Sequence, residues 1–386
     1  MYTGWSTDLT NTPLVSKHTN ISYLAHIIAS DPDGPRGNPR ESHALSDDPE
    51  NIMLMCDAHH RLIDRLDKAG HPAERLRAMR KERCDTLRIL LDNLSFPRTQ
   101  AITLLADVAN VATVASDRDV RAAMYQQKTN PLPAIAGPIN RSLRDGRTAP
   151  GFWNHVLHEH ENDFREARRL LAFASTGNGA LKPERIAVFP LMTVPMLVLC
   201  GRMAGQASAI DVYQYDRDRE TWQWDSTKSS QPPGTFLTEQ SFSGQIEEVL
   251  ISIELTAALD ISRLPAEIQK GLSEKRIAQV RITTQTPHRG CVGHPEDLEQ
   301  FSAVAANALK HVTDVLRAKK IHVIGLAPAS SLFRFGQMLQ AGHHPDCTIY
   351  DHPDLKTGFL PALFISGEQV TSAEVNASNP ITLSLR

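Results

Sequence analysis

Apolar and polar positions give the two halves of the chain different textures. Up to about residue 65 the apolar runs are short and divided by turn formers: YLAHIIA at 23–29 reads as a strand, SDPDGPRGNPRES at 30–42 as a long loop, and IMLMC at 52–56 as a second strand. A helix is expected to begin near His60. From 71 to about 94 the pattern is helical, with Pro72 near the start and Leu76, Met79, Leu87 and Leu91 at three-to-four spacing. AITLLADV at 101–108 suits a strand, and 116–127 suits a helix capped by Ser116 or Asp117. NPLPAIAGP at 130–138 breaks the regularity, and 152–174 is predicted as one long amphipathic helix.

Beyond residue 180, apolar strands alternate with helices, the pattern of an α/β domain. The strands are RIAVF, AIDVYQY, EEVLISIEL, AQVRITT, KIHVIGL, CTIYD and PALFIS, and the helices fall at 194–205, 262–273, 295–318 and 330–341. This half contains an internal repeat. RIAVFPLMTVPMLVLCGRM (185–203) aligns without a gap on KIHVIGLAPASSLFRFGQM (320–338), with six identities in nineteen positions. Val212–Tyr213 then matches Ile349–Tyr350, so the order strand, loop, helix, glycine, strand, tyrosine occurs twice.

Composition changes this picture little. The 386 residues allow two or three domains, and 41% hydrophobic with 22% charged residues is ordinary for a globular protein. A net charge of −3 gives no global sign of nucleic-acid binding, but residues 61–90 hold nine Lys/Arg against five acids. Five scattered cysteines, 56, 84, 200, 291 and 347, suit a reducing compartment. The longest apolar run, 189–201, falls short of the roughly 20 residues a membrane span requires. A cytoplasmic protein with no membrane partner is the expectation.

Candidate chemistry gathers at the start. Phosphodiester hydrolysis needs a base to activate water and a cation to stabilise charge on the phosphate. Histidine suits the first role, and side chains four apart on one helix face suit the second. His26 in AHII, the GPRG loop and NIMLMCDAHHRLID at 51–64 together resemble the ββα-metal, or HNH, endonuclease motif. The resemblance implies that His26 is the general base and that Asn51 fixes the loop and orients the base's backbone. It also makes His60 and Asp64 the holders of Mg²⁺ or a similar divalent cation. Many HNH proteins have a second metal ligand just before the base, where this chain has Ala25. Cys56 and His59 have the C-x-x-H spacing of half a structural Zn²⁺ site, which related nucleases complete with an upstream cysteine pair. No cysteine precedes Cys56, so either the zinc is absent or the chain lacks an upstream turn; the abrupt opening MYTGWSTDLT suggests the latter.

In the second half, KIHVIGLAPASSLFRFGQML with CTIYD and PALFIS is similar to the SAVED domain over roughly 155–375. SAVED domains resemble two fused CARF-like Rossmann-type units, in keeping with the repeat. The resemblance implies a cyclic di- or trinucleotide activator, and the fusion looks like an effector of CBASS anti-phage defence. Such an effector forms a homo-oligomer, dimer to tetramer, and degrades double-stranded DNA once activated. Expected ligand contacts are the loop–helix junctions, Met192 to Pro195 around Thr193 and Pro328, Ala329, Ser330 and Ser331, whose N–H groups suit phosphates. Arg202 and Arg334 follow in the helices, and Tyr213, Trp222, Trp224 and Tyr350 are placed to stack on bases or to pack in the sheet core.

The expected architecture is thus an α+β multidomain protein. An HNH nuclease domain (1–65) is followed by a helical connector (66–150) and a SAVED sensor (151–386). Two other functions fit the residues: a cyclic-nucleotide sensor with an inactive, incomplete nuclease, and an enzyme that degrades its own messenger.

Overall fold

The computed structural model describes residues 22–106, 115–141, 146–176, 183–206, 209–242, 244–340, 343–354, 356–374 and 381–385. The opening decapeptide and residues 107–108 of the expected strand at 101–108 lie outside these. The chain divides into two compact units, Met1–Ser95 and Phe96–Arg386.

In the first unit β1 (Ser22–His26) and β2 (Ile52–Cys56) pair antiparallel, with His26 opposite Ile52 and Ser22 opposite Cys56. α1 (Asp57–Arg61) follows directly, and its last turn widens to five-residue bonding over Leu62–Leu66. The strand–strand–helix order expected from the sequence is therefore present. One face of β1 and β2 supplies Ala25, Met53 and Met55 to a small core that also takes Ile27, Ile63, Leu76 and Met79. The last two belong to α2 (Ala73–Asp92). Only the first half of α2 packs in this way. Leu87 and Leu91, expected on the same apolar stripe, are 39% and 66% exposed.

The second unit begins earlier than the sequence pattern indicated. β3 (Arg98–Ala106) is a buried strand; α3 (Asp117–Gln126) follows, and then β4 (Asn130–Pro131) and β5 (Ala136–Arg141), both parallel to β3. The stretch 66–150, expected as a helical connector and lead-in to the sensor, holds β3, β4 and β5, which share a sheet with β6 and β7. Two of the three prolines that made 130–138 look irregular, Pro131 and Pro138, sit in short strands beside β3, where a missing N–H is tolerated. The long helix expected at 152–174 is two, α4 (Phe152–Glu159) and α5 (Glu161–Thr176). They break at His160, whose ring bonds Asp163 at 2.9 Å in the first turn of α5.

The elements β6 (Arg185–Leu191), α6 (Val194–Ala204) and β7 (Ile210–Val212) complete a five-stranded sheet in the order β4-β3-β6-β7, with β5 also on β3. Next come β8 (Phe236–Gln240), β9 (Glu248–Glu254), α7 (Ala266–Ser273), β10 (Ile277–Thr284) and α8 (Pro295–Lys310). The chain continues with β11 (Lys320–Leu326), α9 (Ala329–Met338), β12 (Asp346–Asp351), β13 (Leu360–Ser366), β14 (Gln369–Ser372) and β15 (Leu383–Ser384). These strands form an eight-stranded sheet ordered β15-β14-β13-β12-β11-β9-β10-β8.

The repeat read from the sequence is a structural one. β6 lies parallel between β3 and β7, and β11 lies parallel between β9 and β12. Their following helices, α6 and α9, pack on each other through their matched glycines. A Cβ at Gly201 would strike the Phe333 carbonyl, and one at Gly336 would strike the Val198 carbonyl. Each glycine faces the residue one turn before the other, so the contact has local two-fold symmetry. Only glycine allows backbones this close.

Candidate functional site

Around the end of β1, Asn51, Arg36 and Asp64 gather on the backbone at His26 and just after it. Asn51 is 4% exposed and immediately precedes β2. Its Oδ1 accepts from Ile28 N at 2.9 Å, and its Nδ2 donates to Ile28 O at 2.8 Å and Leu45 O at 3.1 Å. Its own carbonyl accepts from Ile27 N at 2.8 Å. Asn51 therefore fastens the backbone just after His26. The His26 ring lies 2.9 Å from the Ser46 carbonyl through Nε2. A carbonyl only accepts, so Nε2 carries the proton and Nδ1 is the basic nitrogen of the neutral ring.

His60 and Asp64, four apart, share a helix face with Nε2 and Oδ2 at 3.1 Å, and their side chains are 31% and 18% exposed. Tyr23 stacks on the His60 imidazole at 5.2 Å. Asp64 also pairs through Oδ1 with Arg36 Nη2 at 2.5 Å, and the same nitrogen donates to the His26 carbonyl at 3.3 Å. Arg36 thus brings the backbone of His26 and the carboxylate of Asp64 onto one atom. One imidazole and one carboxylate on a half-exposed face are donors that suit a divalent cation. Ala25, at the position of the second ligand of many HNH proteins, is fully buried in the core. No group of three His, Cys, Asp or Glu side chains placed to hold a metal occurs among the described residues. Cys56 Sγ and His59 Nδ1 lie 3.1 Å apart, within hydrogen-bonding reach of each other. The thiols of Cys200, Cys291 and Cys347 are pushed up by burial, Cys291 to about 12, and are packing groups.

The expected ligand residues of the second unit do not form one cluster. Thr193, at the start of α6, is 5% exposed, and its Oγ1 is buried without a partner among the described residues. Ser331, fully buried in the first turn of α9, has an Oγ in the same condition. Ser330 differs: both its N–H and its Oγ donate to Gln214 Oε1, at 3.1 and 2.8 Å. The Ser331 N–H returns to the Pro328 carbonyl at 3.1 Å. Of the junction Pro328, Ala329, Ser330 and Ser331, the N–H groups of Ser330 and Ser331 are therefore already engaged within the protein, the first by a side chain following β7.

The aromatic expectations resolve toward packing. Tyr213 is 1% exposed and stacked on Phe189 at 4.3 Å, and Trp222 meets the same ring edge-on at 5.3 Å. Tyr350 is buried, its hydroxyl 2.9 Å from His322 Nδ1. Trp224 is also buried but lines a cavity of about 230 Å³ with Tyr213, Arg334, Arg185 and Asp211. Arg334 donates there to Gln337 Oε1 and the Ile210 carbonyl, while Arg202 donates elsewhere, to the Gly367 carbonyl at 3.0 Å. Burial lowers the pKa of both arginines. Tyr213, Trp224 and Arg334 thus line one cavity, whose lining includes neither Thr193 nor Ser331.

Residues 170–365 match the family described as SAVED, "SMODS-associated and fused to various effectors sensor domain". The chain belongs to the SAVED family. No curated protein matches it. Among solved structures it is similar to the Acinetobacter baumannii Cap4 SAVED/CARF-domain containing receptor with the cyclic trinucleotide 3'3'3'-cAAA. The identity is 14% and the TM-score 0.42, over 68% of this chain and 51% of that one. The same receptor with 2'3'3'-cAAA gives 13% and 0.43 over the same shares, 68% and 51%. The Moraxella osloensis Cap4 receptor gives 13% and 0.35 over 56% and 42%. The chain thus covers about half the length of the Acinetobacter receptor.

Several polar residues at the strand ends of the SAVED domain escaped the sequence reading. Asp351, 2% exposed at the end of β12, takes both oxygens to Arg147 Nη1 at 3.0 Å. Burial raises its pKa, and Arg147 pulls it partly back. Glu254 ends β9 equally buried and holds Ser252, Leu259 N and Arg281. An acid closing an apolar run, as in CTIYD and ISIE, was the available signal. Gln214 carried none, because its partner lies 116 residues away.

Proposed function

We propose that this protein is a metal-dependent HNH endonuclease whose cutting of double-stranded DNA is switched on by a cyclic oligonucleotide bound to its SAVED domain, as in CBASS anti-phage defence. The observation that carries the catalytic half is the state of His26. Its Nε2 is committed to a carbonyl, its Nδ1 is left basic, and its backbone is fastened by Asn51 and by the arginine that holds Asp64. Nδ1 takes the proton from the attacking water. His60 and Asp64 would hold the divalent cation, which supplies charge stabilisation at the phosphate and the leaving oxygen. Cys56 and His59 would contribute half of a structural zinc site.

Support for the sensing half comes from SAVED family membership and from the buried hydroxyls of Thr193 and Ser331 in matched helix turns. An activator shifts assembly only by its differential affinity for the assembled state, so the homo-oligomer must bind it more tightly than the inactive form does. A second reading, a sensor without cutting activity, is favoured by Ala25 and by the engagement of both Asp64 oxygens.

A thermal-shift screen against cyclic di- and trinucleotides comes first; a ligand at a thousandfold excess over Kd stabilises by about 4 kcal/mol. Plasmid cleavage with Mg²⁺ and the hit is then compared between parent and His26→Ala. Activator-dependent cutting lost in the variant supports the nuclease, and equal activity in both rejects it. An activator recovered intact by chromatography excludes degradation of the messenger.

A further inference from the structure

The loop between β1 and β2 is built tightly around one side chain. Arg36 has φ +56°, a left-handed backbone that arginine rarely adopts. Gly34 and Gly37 flank it and leave no room for a Cβ: one at Gly34 would lie 2.6 Å from the Ala29 Cβ, and one at Gly37 would lie 2.6 Å from the Asp31 carbonyl. The loop is also tied across itself by Gly34 N to Asp31 O at 3.0 Å and Gly37 N to Gly34 O at 2.9 Å. Such a conformation persists only where its surroundings over-determine it.

What the loop delivers is a guanidinium only 9% exposed. Nε donates to the Ile27 carbonyl at 2.7 Å and Nη1 to the Ile63 carbonyl at 2.7 Å. Nη2 donates to the His26 carbonyl at 3.3 Å and to Asp64 Oδ1 at 2.5 Å. Arginine has five N–H groups, and four of them are used here inside the protein. A side chain so committed has almost nothing left for a substrate phosphate. Its acceptors instead fall on two different elements, the exit of β1 at His26 and Ile27 and the widened helix turn at Ile63 and Asp64.

We infer that Arg36 is the positioning residue of the nuclease site. It fixes the strand that carries the base relative to the helix turn that carries His60 and Asp64. The inference rests on the nuclease reading above. Through Asp64 it also reaches His60, whose Nε2 lies 3.1 Å from the other carboxylate oxygen. The planar fork is essential to this role: a lysine keeps the charge opposite Asp64, but its three donors on a flexible stem do not hold four acceptors on two elements.

The test uses the full-length protein with its activator and compares parent, Arg36→Lys and Arg36→Gln. Arg36→Lys is expected to fold yet lose about 100-fold in kcat, the scale of a misplacement near 1 Å, with KM changed by less than about threefold. Amide hydrogen exchange, which needs no activity, should rise at Ile27, Ile28 and Ile63 in the same variant, and the His60 ring resonances should shift. Parental kcat in Arg36→Lys overturns the inference. So does a loss that follows the unfolded fraction and vanishes on cooling, or unchanged exchange at those amides. If the parent itself never cuts DNA, the nuclease reading fails separately, and the exchange data alone decide whether Arg36 is the tether.

Discussion

The hairpin–helix site and the paired helices of the SAVED domain treat buried polar groups in opposite ways. Around His26, Asn51 and Arg36 each meet several acceptors or donors on separate segments. At the starts of α6 and α9, Thr193 and Ser331 keep buried hydroxyls without partners among the described residues. A satisfied network fixes geometry, whereas an unmade bond in an apolar setting costs about 1–3 kcal/mol. The first site is organised before anything binds. The second holds hydrogen-bonding capacity in reserve.

The comparison breaks most visibly through His26→Ala. With the network intact, removing the base should lower activated cleavage by about 10²- to 10⁴-fold and leave the melting temperature within a few degrees. Activity that persists would mean that the organised site serves some other chemistry. In the SAVED domain the largest expected change is Arg147→Met, which strands the Asp351 carboxylate and should cost about 3–5 kcal/mol near neutral pH. The sign with pH follows from the raised pKa of Asp351, which means that the folded state holds that proton more tightly than the unfolded chain does. Asp351 therefore favours folding below the unfolded carboxylate pKa, and this contribution is lost as pH rises through the folded one. Denaturant titration of the variant should recover stability on acidification, and a loss independent of pH would remove Asp351 from the account.

Gly336→Ala is expected to cost about 1–3 kcal/mol, since the added methyl meets the Val198 backbone and not a side chain able to move. A SAVED domain melting at the parental temperature would show that the helix crossing opens freely. Thr193→Val is the smallest and sharpest change. Replacing an unpartnered hydroxyl with a methyl should alter the stability of the ligand-free protein by no more than about 1 kcal/mol, in the favourable direction. Affinity for the activator, read by calorimetry, should fall. Unchanged affinity would place the ligand elsewhere.

How much of this was legible in the sequence depended on distance along the chain. β1, β2 and the helix carrying His60 were readable because the period of apolar residues and the spacing of the polar ones fall within one short segment. The duplicated strand–helix units were readable because two copies repeat the same glycine and apolar positions. The first strands of the second unit were not, since the prolines of 130–138 conceal parallel partners of β3 that only the assembled sheet reveals. The aromatic residues left two readings open for a related reason: burial of Tyr213 or Trp222 depends on Phe189, which local pattern does not pair with them. Arg36 lay in a quoted loop, yet its partners are set by tertiary geometry.

The glycine crossing of α6 and α9 has a mechanical consequence. Where two helices touch backbone to backbone, no interlocking side chains at that point resist turning, while sliding along either axis drives a neighbouring Cβ into a carbonyl. A turn of either helix against the other would therefore be centred on Gly201 and Gly336, like the pin of a pair of scissors.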